Sequence, residues 1–328
     1  MTTTNAKLNM NNYDKPIRLS FSRQEQRCEA TFSNGGPYWH LCTPGQFTEI
    51  LCETREDYVF YMNLIAIAVA VTGVKIITFQ VMSNHFHFIL EGPECLCQKF
   101  FQRIKNRMLR YYPAENRYKN LVDFTAKVLP IPDLAALRNE VVYTNRNGYL
   151  IDPRYTPFSY PWGSGNLFFN PYARLLDSQP YSTLSDREKK SLCKSRLLDL
   201  PEGYRVRNGV IVPESYCSYS KGEALFRDAH HYFASVSKNY EAYSAVAKSL
   251  GEEIILTDEE MFAMVVTKSK REYDENRPSM LPQNVKLEYA RMMRQDYNAS
   301  EGQIQRILKL DRKDIGELFG RSATLVVK

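Results

Sequence analysis

The chain has 328 residues, 44% of them hydrophobic, with 43 Lys and Arg against 37 Asp and Glu for a net charge of +6. This balance excludes a largely disordered, collagenous or coiled-coil chain, and the length predicts two or three folded units. The mild positive charge is compatible with a nucleic-acid partner without requiring one.

The polar opening MTTTNAKLNMNNYDKP has no apolar segment of the kind a secretory signal needs. Residues 1–25 read as a mobile tail. Seven Cys, odd in number and irregular in spacing, do not form a disulfide framework. The most apolar stretch, 58–71, is short of the ~20 residues of a membrane span. A cytoplasmic protein without a membrane partner is the expectation.

Tyr38 to Cys42 reads as a strand stopped by Pro44-Gly45, and Glu56 to Val71 as a helix closed by Gly73. Val74 to Met82 is rich in β-branched residues and predicts a buried strand. After a turn at Ser83-Asn84, His85 to Glu91 alternates with period two. Phe86, Phe88 and Leu90 share one face; His85, His87, Ile89 and Glu91 share the other. A helix follows from Pro93 to about Tyr112, with an apolar stripe of Leu96, Phe100, Ile104 and Met108. Lys99, Arg103, Arg107 and Arg110 make a basic stripe on it. Asp133 to Asn147 reads as a second helix, capped by Asp133 and ended at Gly148.

The order strand, helix, strand, strand, helix, helix predicts an α+β domain on a mainly antiparallel sheet, with helices on one face. It spans 26–180. Residues 181–268 are expected to be a mostly helical connector, with capping boxes at Ser185 and Thr257 and a strand-like insert with a turn at Asn208-Gly209. Residues 269–328 end in three helices, 285–297, 300–308 and 312–319. They resemble a helix-turn-helix DNA-binding unit, with 13 Lys and Arg against 9 Asp and Glu from Lys268 to Lys328. Arg312 and Lys313 are the candidate DNA contacts, and a packing or dimerisation module is the other reading.

His85-Phe86-His87 is the sharpest local feature. Residues two apart on a strand point the same way, so both imidazoles can hold one divalent metal that keeps open positions. The plain alternative is two polar residues on a solvent-facing strand surface. A tetrahedral zinc with Cys95 and Cys97 is a weaker reading, because residues two apart on a helix diverge. A zinc hydrolase would need Glu91 as a further ligand. Tyr143 and Asn147, four apart on one helix, share a face. A phenol beside a metal-bound phosphodiester can act as a nucleophile, and an amide oxygen can complete the metal shell. Tyr111 and Tyr112 are the rival phenols, and the residues four on, Glu115 and Asn116, lie beyond Pro113, where that helix is expected to end.

FQVMSNHFHFIL at Phe79–Leu90 resembles the Met-Pro-Asn-His-hydrophobic-His signature of the single-tyrosine HUH transposases. VYTNRNG at Val142–Gly148 resembles that family's helix in which a Tyr precedes an Asn or Gln by four. Tyr160-Pro161-Trp162-Gly163-Ser164 is similar to a stretch of the REP-associated tyrosine transposases. The resemblance covers residues 28 to 170, with Ser83 where a Pro is usual, Gly148 where a Pro often follows the Asn, and a longer connection at 113–132. It implies a ferredoxin-like domain that cuts and rejoins single-stranded, hairpin-forming DNA without ATP, with a homodimer among the assemblies it allows. By the same resemblance His85, His87 and Asn147 bind Mg²⁺ or Mn²⁺, and Tyr143 attacks phosphorus to leave a 5′-phosphotyrosine link. The basic stripe at Lys99, Arg103, Arg107 and Arg110 would track a phosphate backbone. The competing reading is a domesticated DNA-binding protein that keeps the fold without nicking.

Overall fold

The computed structural model describes residues 37–319 except 46–49, 120, 122–123, 151–154, 157–158, 196–198, 239–245, 248–249, 252–255 and 257. The polar tail and the capping box expected at Thr257 lie outside the described residues. Two units divide between Val236 and Ser237.

In the first unit β1 (Tyr38–Cys42), α1 (Arg55–Thr72), β2 (Lys75–Val81), β3 (Phe86–Glu91), α2 (Glu94–Ala114), β4 (Lys127–Pro130) and α3 (Leu134–Leu150) follow in order. The strands form one antiparallel sheet in the order β2-β3-β1-β4. Cys42 and Gln80 flank His87 in register, and His40 lies opposite Ile89. β4 has no counterpart among the predicted strands. Its KVLP is four residues long and ends in a Pro, and it lies at an edge of the sheet, where strand prolines are tolerated.

Alternation along the strands gives the sheet two different faces. Trp39, Leu41, Phe79, Val81, Phe86, Phe88 and Leu90 bury one face against α1 and α2. On the other, Ile77 and Ile89 pack with Leu134, Leu137 and Val141 of α3. The expectation of helices on one face is thereby corrected. The apolar stripe of α3 has to be buried, and the second sheet face supplies Ile77 and Ile89 for it. The solvent-facing reading of the His strand falls with it, since α3 covers that face.

α1 is held at both ends and in its middle. Thr54 and Asp57 form a capping box, and Gly73 closes the helix in the left-handed region at φ 73°. Burial of Asp57 would raise its pKa. Hydrogen bonds from Arg117, the Thr54 and Glu53 backbone N–H groups and the Tyr111 phenol outweigh that, and hold its carboxyl well below the usual carboxylate range. Asn63, buried in mid-helix, receives the Ile211 N–H at 2.7 Å and donates to the carbonyls of Gly209 and Leu192 at 2.9 and 3.2 Å. A polar residue in an apolar helix thus finds two of its three partners on one later segment.

That segment follows α4 (Pro171–Arg174), β5 (Gln179–Pro180) and α5 (Asp186–Cys193). It is the hairpin of β6 (Arg205–Arg207) and β7 (Val210–Ile211), turned at Asn208 (φ 51°) and Gly209 (φ 79°). β5, β6 and β7 make a second, small antiparallel sheet. Tyr181, Leu184, Cys193, Tyr204, Val206 and Ile211 join the core of the first sheet. α6 (Tyr219–Glu223) and α7 (Ala229–Lys238) follow, and Phe226, Tyr232 and Val236 join the core beneath α3. Residues 181–236 therefore belong to the first unit, although the sequence reads them as connector.

The second unit holds α8 (Asp258–Tyr273), α9 (Gln283–Tyr297), α10 (Glu301–Leu308) and α11 (Arg312–Phe319). Ser300 and Gln303 form the capping box of α10, and Asn298 and Lys309 end α9 and α10 in the left-handed region. Ile304, Ile307 and Leu308 are buried with Val285, Tyr289 and Met293 of α9 and Ile315 of α11. α8 belongs to this core through Met261, Met264 and Val265, and its Asp258 accepts from Arg306 at 2.6 Å. Among the described residues no helix is long and apolar enough to cross a membrane.

Candidate active site

The α3-facing side of the sheet turns polar at one end. His40 of β1, Gln80 of β2 and His87 of β3 are all buried there. Tyr143 of α3 lies over them, its ring centre 5.5 Å from that of His87 and 6.1 Å from that of His40, both edge-on. Asn147 follows one turn later and is also buried. Two residues before Asn147, the Asn145 side chain takes a hydrogen bond from Thr78 Oγ1 at 2.5 Å and donates to the Tyr232 phenol at 2.9 Å. Those bonds fix the register of α3 on the sheet.

His85 precedes β3 and ends the turn, where it is half-buried. Its Nδ1 lies 2.7 Å from Asn84 Oδ1, and Asn84 Nδ2 donates to the Gly45 carbonyl at 2.7 Å. With the amide oriented in this way, Asn84 offers its oxygen, so His85 Nδ1 is the protonated nitrogen. A Cβ at Gly45 would stand 2.9 Å from that Nδ1, so the loop closes on His85 only without one.

His85 and His87 have ring centres 5.0 Å apart. Two imidazoles sharing one divalent ion, with bonds of about 2.1 Å near a right angle, hold their centres ~5 Å apart. His87 Nδ1 lies 3.0 Å from His40 Nε2. Both rings therefore have Nδ1 engaged by the protein, and a metal bond from either falls to Nε2. That is the usual arrangement of ligating histidines. Burial first, and then the neighbouring His40, push the His87 pKa well below its ordinary value, so the ring is neutral as a ligand must be. The donor chemistry of the two rings fits one divalent ion shared by His85 and His87. Among the described residues no group of three or more His, Cys, Asp or Glu is placed to hold a metal.

The segment from Tyr160 to Ser164 docks beside this site. Residues 160–164 run antiparallel to the outer edge of β2, with Val81 N–H donating to the Trp162 carbonyl at 2.8 Å and Ser164 N–H to the Phe79 carbonyl at 3.0 Å. Tyr160 donates to the Val81 carbonyl at 2.6 Å, and Trp162 stacks on Tyr58 of α1 at 4.8 Å. Gly148 is not the end of its helix, which continues to Leu150. It serves close approach instead, because a Cβ there would stand 2.6 Å from the Tyr160 ring.

Other candidates fall elsewhere. Lys99 and Arg110 are exposed and Arg103 and Arg107 half-buried on α2, on the sheet face opposite α3, so the sheet separates this stripe from His87 and Tyr143. Arg107 donates to the Lys194 carbonyl, and its pKa is lowered by burial and then by Arg103 and Arg110. Arg312 and Lys313 are exposed at the start of α11 in the second unit. Cys97 lies in the core beneath α2, its thiol pushed up to about 12 by burial, and Cys95 is exposed. Glu91 pairs with Lys75 and Lys221. Tyr111 donates to Asp57 and Tyr112 to the Leu51 carbonyl, both at 2.9 Å, and burial raises both phenols above their ordinary value. These two tyrosines are structural.

Sequence reading passed over His40 and Glu140. Glu140 lies three residues before Tyr143 on α3, and its Oε2 is 2.5 Å from His40 Nδ1. The one signal in the sequence was a His at the middle of β1 on the face of Tyr38 and Cys42. No protein-family model, curated protein or solved structure matches the chain.

Proposed function

We propose that the chain is an HUH-type single-tyrosine DNA strand transferase. It would cut and rejoin single-stranded, hairpin-forming DNA through a 5′-phosphotyrosine link. The observation that carries this reading is the meeting of two separate segments: Tyr143 of α3 packs edge-on against His87 at 5.5 Å, and His87 lies 5.0 Å from His85. The sheet order β2-β3-β1-β4, with α1 and α2 on one face, supports a ferredoxin-like assignment, and the docked 160–164 segment supports the REP-associated branch.

His85, His87 and Asn147 would hold Mg²⁺ or Mn²⁺, which when bound offsets charge building on the phosphate oxygens. A phenol is a poor nucleophile at neutral pH, so Tyr143 depends on that offset. Its oxygen forms the bond to phosphorus as the bond to the 3′ oxygen breaks. The phenol proton ends on the departing 3′ hydroxyl. The phosphodiester energy is kept in the new ester, so rejoining needs no ATP. The basic stripe of α2 and the α11 cations Arg312 and Lys313 would serve DNA away from the reacting atoms.

A second reading, a DNA-binding protein that keeps the fold without nicking, draws on one observation. Tyr143 is 1% exposed and His87 0%. A phosphodiester reaches the phenol only if the cover over this end of α3 moves. Incubation with labelled single-stranded DNA and Mn²⁺ separates the two. The strand transferase gives a covalent adduct that maps to Tyr143 and vanishes in Tyr143→Phe while metal and DNA binding persist. Binding without any protein-linked strand under those conditions would establish the second reading.

A further inference from the structure

Behind His87 lies a chain of buried polar contacts that the strand-transfer reading does not use. Glu140 Oε2 lies 2.5 Å from His40 Nδ1, and His40 Nε2 lies 3.0 Å from His87 Nδ1. His40 is 0% exposed and its carboxylate partner largely covered. The three side chains come from α3, β1 and β3 and meet only in the folded chain. We infer that His40 and Glu140 are positioning residues that set the tautomer and the orientation of His87.

Donors and acceptors decide the tautomer. An ionised carboxylate only accepts, so the nitrogen facing Glu140, His40 Nδ1, must carry a proton. A neutral imidazole has one protonated nitrogen, so His40 Nε2 is then a lone pair. A lone pair facing His87 Nδ1 needs a proton there, and His87 Nε2 is left as the unprotonated nitrogen. Glu140 thus decides, two rings away, which nitrogen of His87 can bind a cation. With Glu140 ionised and His40 neutral, the opposite arrangement, with Nδ1 of His87 unprotonated and Nε2 protonated, would set two lone pairs against each other somewhere in the chain. A cation on His87 Nε2 selects the same arrangement, and the carboxylate lends it electron density through the two rings. His85 reaches the same tautomer through Asn84, so both imidazoles present Nε2. The edge-on contacts of Tyr143 with His40 and His87 tie the phenol to the same pair.

This inference rests on the metal-site part of the proposed function and not on DNA cleavage. The deciding measurement is the long-range ¹H–¹⁵N correlation of the histidine rings in the full chain without metal. His87 should show a protonated Nδ1 and an unprotonated Nε2. A His87 with Nε2 protonated would overturn the inference, whatever the chain does to DNA. His40→Phe removes the acceptor and should leave His87 as a mixture of tautomers, with Mn²⁺ affinity, read from the free-ion EPR signal, lowered about 10- to 100-fold. Should that variant not fold, Glu140→Ala at the edge of the site tests the same chain, and His87 should again become a mixture. An unchanged tautomer in a folded variant would overturn the inference. The stated tautomer with no DNA adduct would sink the strand-transfer reading and leave this one standing.

Discussion

His85 and His87 are two residues apart in sequence and sit in different surroundings. His85 ends a turn and is half-buried, held by Asn84; His87 is 0% exposed and hydrogen-bonded to His40 at 3.0 Å. The sequence treats them as a symmetrical pair on one face of a strand. Burial breaks that symmetry. His87→Ala removes a packed ring and strips His40 Nε2 of its partner, so it should destabilise the first unit by about 1–3 kcal/mol. His85→Ala should cost under about 1 kcal/mol, because a half-open turn can refill with water. Urea unfolding of the two single variants checks this, and equal losses would show that the two sites are alike. The alternation that placed Phe86 and Phe88 inward was legible because it is local, with period two. His40 was not, because its tie to His87 spans 47 residues and exists only once β1 pairs with β3.

Elements show the same divide between local and distant causes. α1, β2, β3, α2 and α3 fall within a few residues of their sequence-based bounds, since capping residues and apolar periodicity carry that information. β4 and β5 do not, because four and two residues with a Pro in each give no pattern. Gly148 shows how a correct residue can be read for the wrong cause. A Gly after a helical run looks like a C-cap, yet here the helix runs on and the bare Cα admits Tyr160 and Gln80. Gly316 of α11 is the contrast, with nothing within 4 Å of a built Cβ. Gly316→Ala should therefore stabilise its helix by about 0.5–1 kcal/mol through backbone entropy alone. Gly148→Ala should instead cost about 1–3 kcal/mol, because the Tyr160 ring, pinned by its bond to the Val81 carbonyl, has to shift. Thermal melts of the two variants should move in opposite directions. A stabilising Gly148→Ala would mean that the 160–164 segment does not press on α3.

At the scale of the whole molecule the first unit extends further than the sequence suggests, and the second begins earlier. The sequence divides a nuclease domain ending at 180 from a DNA-binding region starting at 269. The hairpin bonded to Asn63, with α6 and α7 after it, carries the first unit on to 236, and the second begins at 237 and includes α8. A cut at 268 would therefore leave Met261, Met264 and Val265 without the helices they pack on, and should expose apolar surface to a hydrophobic dye. A cut after Val236 should leave the first unit folded. That shorter chain is the right probe for the DNA role proposed for the second unit, whose Arg312 and Lys313 are exposed. Each lysine or arginine that neutralises a phosphate adds about 0.9 to the slope of log K against log salt on duplex DNA. If the second unit neutralises backbone phosphates, the chain ending at 236 should bind duplex DNA with a slope shallower by ~0.9 for every phosphate it no longer reaches. Arg312→Ala with Lys313→Ala in the full chain should reproduce up to ~2 of that change without altering the melt. An unchanged slope in both would assign the second unit to packing or assembly and leave DNA binding to the first unit alone.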